Sequence, residues 1–207
     1  MNLLPRPIYL LVLLPATCCL SGCLGGKPAP AMSRYFVLAP VAPEAGQTQR
    51  TNSAPMVVGV GPVKLPGYLG KNSLAVRKSS NEIEYLENAE WAERLDQGFQ
   101  NAFATDLSLR LPNHKVRATV GRGSDLACEI QVIVQQFDID TRGHGVLSAW
   151  WQIISSPKSK VLNSGQFRAS RDGPRPDADP HGATATLSQL LADLSAEVAN
   201  AIHDVPK

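Results

Sequence analysis

Two stretches of the sequence repeat apolar residues with the period of an amphipathic α-helix. The first covers residues 90–111 and ends before Pro112, and the second covers residues 184–203, shortly before Pro206. The apolar positions are Trp91, Leu95, Phe99 and Phe103 in the first stretch and Leu187, Leu190, Leu191, Leu194, Val198 and Ile202 in the second. We therefore predict two long helices, with Asn88 as the N-cap of the first.

The other apolar segments are short and alternate with the period of two that is typical of β-strands. They cover residues 34–38, 56–63, 74–77, 82–86, 115–119, 128–140, 147–154 and 161–169. The order of strands, helix, strands and helix predicts an α+β fold, with one mostly antiparallel sheet and both long amphipathic helices packed against it.

Two of these strands carry finer information. In residues 128–140 the apolar positions change phase after Val134, which requires an extra residue and predicts a β-bulge near Gln135 and Gln136. In residues 147–154 apolar side chains fall on both faces, with Trp150 on the outer one. A strand of this kind is either central in the sheet or covered by a partner, so the outer face around Trp150 is one candidate docking surface.

The N-terminus has the layout of a secretory signal, with Arg6 before a short apolar run and small residues after it. The run at residues 8–20 is shorter than the roughly 20 residues that cross a bilayer as a helix. It leads into Leu-Ser-Gly-Cys, which ends at Cys23 and matches the lipobox of a bacterial lipoprotein. We expect a signal peptide at residues 1–22 and lipidation of Cys23; the alternative is an ordinary secretory signal in which this cysteine is incidental.

The rest of the chain divides into two parts. Residues 23–32 are rich in Gly and Pro and predict a lipidated N-terminus with a flexible tether, whereas residues 33–207 suit a single domain. The formal net charge of +2 excludes the electrostatic footprint of a nucleic-acid-binding protein. After cleavage and acylation, Cys128 is the remaining free thiol, which rules out an intrachain disulfide and fits a buried, unreactive side chain.

Residues that could support catalysis or bind a metal do not form a recognisable motif. The four histidines, at positions 114, 144, 181 and 203, lack zinc-ligand spacing, and Ser124 and Ser164 lack the glycine-flanked elbow of a hydrolase. Asp138 and Asp140 share one side of a strand end, where they either bind a cation or are solvated; we favour solvation. The sequence thus predicts no enzyme, no metal and no cofactor, although a lack of motifs does not exclude catalysis.

Four segments together resemble a known family. They are residues 35–38 (Tyr-Phe-Val-Leu), 58–63 (Val-Gly-Val-Gly-Pro-Val), 65–69 (Leu-Pro-Gly-Tyr-Leu) and 89–95 (Ala-Glu-Trp-Ala-Glu-Arg-Leu). In these segments the chain resembles the PqiC (YmbA-like) family of ABC-type transport auxiliary lipoproteins. It departs from the family at Gly70 and Lys71, where an acidic and a basic residue are usual.

The resemblance implies a non-catalytic lipoprotein that is anchored in the outer membrane, faces the periplasm and serves an MCE/ABC-type lipid transport system. Its implied partners are the membrane, through the acyl chains, and a PqiB-like MCE-domain periplasmic protein. Leu24, in place of an aspartate after the lipidated cysteine, suggests sorting to the outer membrane. The sequence leaves a homo-oligomer open.

The turn-rich connector after the second strand is the other candidate docking surface, with Pro66, Tyr68 and Leu69 as its proposed contacts. Internal packing of these side chains is the alternative. A second function would be a lipid carrier that holds an acyl chain in a cavity lined by Phe99, Phe103 and Trp151. A third would be an envelope hydrolase, which would need titratable groups that converge in a cleft.

Overall fold

A long central strand, β6, organises the sheet. The computed structural model describes residues 32–43, 54–119, 125–156 and 159–205, and these belong to the compact unit Met32–Lys207. The strands are β1 (Arg34–Phe36), β2 (Val57–Val60), β3 (Ser73–Ser79), β4 (Glu82–Trp91), β5 (Lys115–Ala118), β6 (Cys128–Asp140), β7 (His144–Ser155) and β8 (Val161–Asp172). The helices are α1 (Leu95–Arg110) and α2 (Pro180–His203), and Gly67–Gly70 forms one turn of 3-10 helix.

The sheet is mixed, so the prediction of a mostly antiparallel sheet is confirmed only in part. Strands that follow one another closely in the chain are antiparallel, namely β3 with β4, β6 with β7 and β7 with β8. Strands from distant parts of the chain pair in parallel, namely β1 with β4, β2 with both β5 and β6, and β3 with β6. A parallel pair needs a long crossover, and no local sequence signal marks which strands it joins.

The predicted bulge in β6 is confirmed. The pairing of β6 with β7 shifts register between Val134 and Gln136, so that Phe137 lies on the same face as Val134. This inner face contributes buried apolar side chains to the core beneath the helices, whereas the outer face of β6 and β7 carries Ile133 opposite Trp150. The bulge keeps both ends of a 13-residue strand in one core.

The first helix begins later than predicted. Residues up to Trp91 continue β4, because Trp91 lies beside Phe36 of β1 and its backbone N–H donates to the carbonyl of Asn72 at 2.6 Å. Helix α1 therefore begins at Leu95 with Arg94 as its N-cap, and the prediction of Asn88 as the cap is wrong. The four-residue spacing from Trp91 to Leu95 is that of a helix, but pairing with β1 overrides it.

The second helix begins four residues earlier than the periodic pattern. Asp179 is its N-cap, and its Oδ1 accepts a hydrogen bond of 3.0 Å from the N–H of Gly182, while Pro180 occupies the first helical position. Helix α2 packs on β7 and β8 and helix α1 on β5, and the two helices also contact each other. Neither helix of the described ranges combines the length and the apolar character that a membrane span requires.

Candidate functional site

The connector after β2 runs alongside β6 before it turns. The N–H of Lys64 donates to the carbonyl of Val132 at 3.1 Å, and the N–H of Val134 donates back to the carbonyl of Lys64 at 2.9 Å. The following 3-10 turn is closed by a bond of 3.0 Å from the N–H of Leu69 to the carbonyl of Pro66. Leu69 is 4% exposed and belongs to the core, so its side chain is not on the surface as its sequence context suggested.

Tyr68 of this turn belongs to a polar cluster on the outer face of the sheet, which we call the Tyr68–Asp138–Arg77 cluster. The hydroxyl of Tyr68 donates to Asp138 Oδ2 at 2.7 Å, and the Arg77 guanidinium donates from Nη2 to Oδ2 at 2.5 Å and from Nε to Oδ1 at 3.0 Å. The amide of Gln136 also donates to Asp138 Oδ1, at 3.0 Å. A carboxylate that is only 2% exposed needs donors of this kind, because burial removes its hydration.

The pKa values follow from this arrangement. Burial, and next the hydrogen bond to Asp138, raise the pKa of Tyr68 well above its usual value, so the phenol stays protonated as a donor. The hydrogen bond to Asp138 raises the pKa of Arg77. The backbone carbonyl of Tyr68 accepts a further bond of 2.9 Å from the hydroxyl of Tyr85. The cluster thus fastens the connector to β3, β4 and β6.

The two acidic residues at the end of β6 are not both solvated as predicted. Asp138 is buried against Arg77, whereas Asp140 forms an ion pair of 3.0 Å with Arg142 and accepts the N–H of His144 at 2.9 Å. Each carboxylate therefore has cationic or N–H partners within the protein. The described residues contain no group of three or more His, Cys, Asp or Glu side chains that could hold a metal ion.

A cleft of about 420 Å³ opens beside the connector. It lies between the 3-10 turn and the beginning of α1. These two segments are about 25 residues apart in the sequence, and both carry the family resemblance. Its lining is Val63, Leu65, Pro66, Gly67, Leu69, Gly70, Lys71, Asn72, Arg94, Leu95 and Asp96. The volume lies within the range of about 300–1,000 Å³ that is typical of ligand pockets. The lining combines apolar side chains with polar and charged ones, so the cleft can contact both an apolar side chain and a polar neighbour.

The charged groups at the edge of the cleft already have partners. Arg94 Nη2 lies 2.7 Å from Asp96 Oδ2, and Lys71 Nζ lies 4.1 Å from the centre of the Tyr85 ring. Both contacts are near the surface, so they cost little to open. Lys71 and Arg94 are therefore accessible to an acidic group from outside the domain.

Trp150 lies on the outer face of β7 and is 49% exposed, so internal packing does not account for this side chain. It is paired with Ile133 of β6, which is similarly exposed. A shallow depression of about 290 Å³ lies beside the pair and is lined by Gln131, Ile133, Trp150, Trp151, Gln152 and Ser164. The amide of Gln152 donates to Gln131 at 2.9 Å, which gives this depression a polar edge.

The space proposed for an acyl chain is filled. Phe99 and Phe103 are fully buried, with ring centres 6.3 Å apart, and Phe99 meets Phe137 of β6 edge to face at 5.3 Å. Trp151 is also buried, and its indole N–H donates to Glu197 Oε1 of α2 at 2.8 Å. All of these side chains belong to the hydrophobic core, which argues against the lipid carrier with this cavity.

The histidines do not assemble a hydrolytic centre. The rings of His114 and His203 are 6.3 Å apart, and burial, followed by the charge of His203, lowers the pKa of His114. The N–H of Met56 donates to His114 Nδ1 at 3.2 Å, so this nitrogen is occupied by the backbone. His144 contacts Asp172 at 2.7 Å near the end of the β7–β8 hairpin. Burial also raises the pKa of Cys128 to about 11, as expected for an unreactive thiol.

The lipobox and Cys23 lie outside the described residues, so lipidation stays a prediction from the sequence. Within the described residues, sequence reasoning missed the partnership of Arg77 with Asp138. Asp138 lies between the apolar residues Phe137 and Ile139, and a carboxylate that is buried in such a position needs a cation or several N–H donors. That signal pointed to a partner but not to Arg77, which is 61 residues away along the chain.

The described residues define an α+β domain with a surface cleft built from a connector and a helix start. The sequence model of the family described as "ABC-type transport auxiliary lipoprotein component" matches residues 36–199, and the chain belongs to this family. This confirms the resemblance found in the sequence.

Individual relatives agree with this assignment. The chain is 26% identical over 145 residues to the intermembrane transport lipoprotein PqiC of Escherichia coli K12, which covers 67% of this chain and 73% of that protein. PqiC of Shigella flexneri matches equally well.

Solved structures support the fold. A crystal structure of an uncharacterized protein matches with a TM-score of 0.66 and 23% identity, covering 83% of this chain and 99% of the other. A protein from Xanthomonas campestris also matches with a TM-score of 0.66, at 14% identity, covering 82% and 94%. At these identities the similarity shows a shared fold.

Proposed function

We propose that this chain is a non-catalytic auxiliary subunit of an MCE/ABC-type intermembrane lipid transport system, anchored in the outer membrane and facing the periplasm. The observation that carries the proposal is the family match across residues 36–199, together with a cleft formed by segments that carry the family resemblance. The relatives named PqiC are described as intermembrane transport lipoproteins, which supports the same role.

Acyl chains on Cys23 would attach the protein to the bilayer. Each buried methylene contributes about 0.8 kcal/mol, and two chains already give stable attachment. Residues 23–32 would then link the lipid to the folded domain, residues 33–207. Such an anchor keeps the domain within reach of a partner that spans the periplasm, without any need for a membrane-spanning helix.

The cleft is the proposed docking site for an MCE-domain partner. Pro66 lines it, and Tyr68 holds the connector in place through Asp138 while its side chain lies outside the cleft lining. Leu69 also lines the cleft from the core side. An apolar side chain of the partner would enter between the connector and Leu95, with an acidic group near Lys71 or Arg94.

The surface around Trp150 is a second candidate docking site, and a pair of variants distinguishes it from the cleft. Gly67 lines the cleft, and a Cβ placed on it meets nothing within 4 Å, so Gly67→Trp would add a bulky side chain at the cleft without a clash in the turn. Ser164→Trp would fill the depression beside Trp150 instead. Each variant is co-expressed with the MCE-domain protein and purified in mild detergent, with thermal unfolding as a check on folding.

Loss of co-purification in Gly67→Trp but not in Ser164→Trp is the expected result. The opposite pattern would show that the partner binds the outer face around Trp150 and not the cleft. Failure of the unchanged lipoprotein to co-purify with any MCE-domain protein would overturn the proposed function itself.

A further inference from the structure

The first strand of the domain presents apolar side chains to solvent. In β1 and the residue that follows it, alternate side chains point to opposite sides, so Phe36 enters the core while Tyr35 and Val37 face outward. Tyr35 is 64% exposed and Val37 is 52% exposed. Met32, two residues before β1, is 89% exposed. We call Met32, Tyr35 and Val37 the β1 patch.

The β1 patch lies at an open edge of the sheet. Among the described strands, β1 pairs only with β4 and ends the strand order, so no protein segment in the described part of the chain continues the sheet beyond it. Isolated exposed apolar residues are common on protein surfaces and need no explanation. Here, however, three exposed apolar residues fall within residues 32–37, where the compact unit begins.

The length of chain between Cys23 and the β1 patch limits the distance between the lipid anchor and the patch. Eight residues lie between Cys23 and Met32, and the extended chain from one to the other reaches at most about 30 Å. This step rests on the proposed lipidation of Cys23. With that anchor in place, the β1 patch is the part of the described fold that is nearest to the bilayer along the chain, and the short tether keeps its local concentration at the membrane high.

We propose that the β1 patch is a second membrane contact, which inserts into the interfacial layer of the same bilayer that holds the acyl chains of Cys23. Tyrosine suits this layer because its ring is apolar and its hydroxyl remains hydrated. The contact would fix the orientation of the domain relative to the membrane, which the tether alone would leave free.

The charges beside the patch are mixed. Arg34 precedes Tyr35 in the sequence, and Glu90 of β4 lies opposite Tyr35 in the parallel pair of β1 and β4. The two charges oppose each other in any attraction to anionic lipid, so the contact depends on apolar area rather than on headgroup charge. We therefore expect little dependence on salt concentration.

The test compares two exposed valines. Val37→Cys places a thiol in the β1 patch, whereas Val161→Cys is a matched control, because Val161 is 48% exposed and lies on β8, at another edge of the sheet. Cys128 is buried, so it does not compete for the label. The full lipidated chain is labelled with the fluorophore NBD and reconstituted into vesicles of phosphatidylethanolamine and phosphatidylglycerol.

The expected result is a shift of NBD emission to shorter wavelength and strong quenching by spin-labelled lipid at position 37, with neither effect at position 161. High salt should leave both readings unchanged. Protein that sediments with the vesicles but shows the same emission at both positions would overturn the membrane contact and leave the anchor intact. Protein that fails to sediment with the vesicles would overturn the proposed anchoring, and the membrane contact with it.

One further outcome would show that β1 is covered by another protein chain and not by the membrane. An emission shift at position 37 that grows with protein concentration in detergent solution, without vesicles, would show that a second protein chain covers β1. That result would overturn the membrane contact in favour of strand addition between copies.

Discussion

The hydroxyl of Tyr68 donates a hydrogen bond of 2.7 Å to the buried carboxylate of Asp138, 70 residues further along the chain. This bond explains why a tyrosine stands in the Leu-Pro-Gly-Tyr-Leu connector, and it assigns that side chain a structural role beside the proposed dock. Together with Arg77, it holds the connector against the sheet and so positions one wall of the cleft.

Tyr68→Phe should destabilise the fold, because it removes a donor from a buried carboxylate. We expect a loss of about 1.5–3 kcal/mol in the free energy of unfolding, measured by urea denaturation. Tyr85→Phe is the matched control, since its hydroxyl bonds to a neutral backbone carbonyl and its loss should cost only about 1 kcal/mol. Equal losses in the two variants would contradict a special contribution from Asp138.

Asp106 should make stability depend on pH. It is fully buried on α1; Oδ1 accepts the N–H of Val41 at 2.7 Å, and Oδ2 has no hydrogen-bond partner among the described residues. Burial raises the pKa of Asp106 from 3.8 to about 6. A carboxyl group whose folded pKa is raised favours folding while it is protonated, so this stability is present below about pH 4 and is lost as the pH rises through 6.

The variant Asp106→Asn tests this dependence. It should be more stable than the unchanged protein at pH 7, on the order of 2 kcal/mol, because the cost of the buried charge is removed. The advantage should shrink as the pH falls from 6 to 4. Urea denaturation at several pH values measures it, and a difference that does not change with pH would show that Asp106 ionises normally in the fold.

Gly165→Ala should destabilise the contact between β8 and Trp151. A Cβ at this position would lie 2.5 Å from Trp151 Cζ2, and the indole is held by its bond to Glu197, so relief requires movement of the ring or the strand. We expect a loss of about 1–3 kcal/mol in thermal or urea unfolding. Gly70→Ala, where a Cβ meets nothing within 4 Å, should stay within about 0.5 kcal/mol.

Cys23→Ala should release the protein from membranes into the soluble fraction, because the acyl chains are its proposed attachment. Cys128→Ala is the matched control, since it removes a buried thiol and should leave the protein in the membrane fraction. Mass spectrometry of the mature N-terminus checks the modification directly. Membrane association that survives Cys23→Ala would place the anchor elsewhere.

The elements that the sequence predicted well are those with long, regular apolar patterns. Strand β6 begins and ends where the alternation does, and its bulge follows from the change of phase after Val134. The helical stripe at Leu95, Phe99 and Phe103 is confirmed as a buried face. Such patterns can be interpreted from nearby residues alone, because the spacing of apolar residues within one element indicates which of its faces is buried.

Predictions failed where distant segments compete for the same residues. Trp91 fits a helical stripe, but it lies in β4 because β1 pairs with it. Tyr68 and Leu69 read as a pair of exposed anchors, yet Leu69 enters the core while Tyr68 bonds to Asp138. Neither outcome follows from nearby residues.

The sequence by itself determined the two helices, the period of the strands, the face that each buries and the family to which the chain belongs. Only the tertiary structure decided which strands pair in parallel, that Arg77 neutralises Asp138, and that the connector and the start of α1 enclose a cleft. The physical reason is that period and hydrophobicity act over a few residues. Strand pairing, buried charges and clefts depend on which remote segments meet when the core closes.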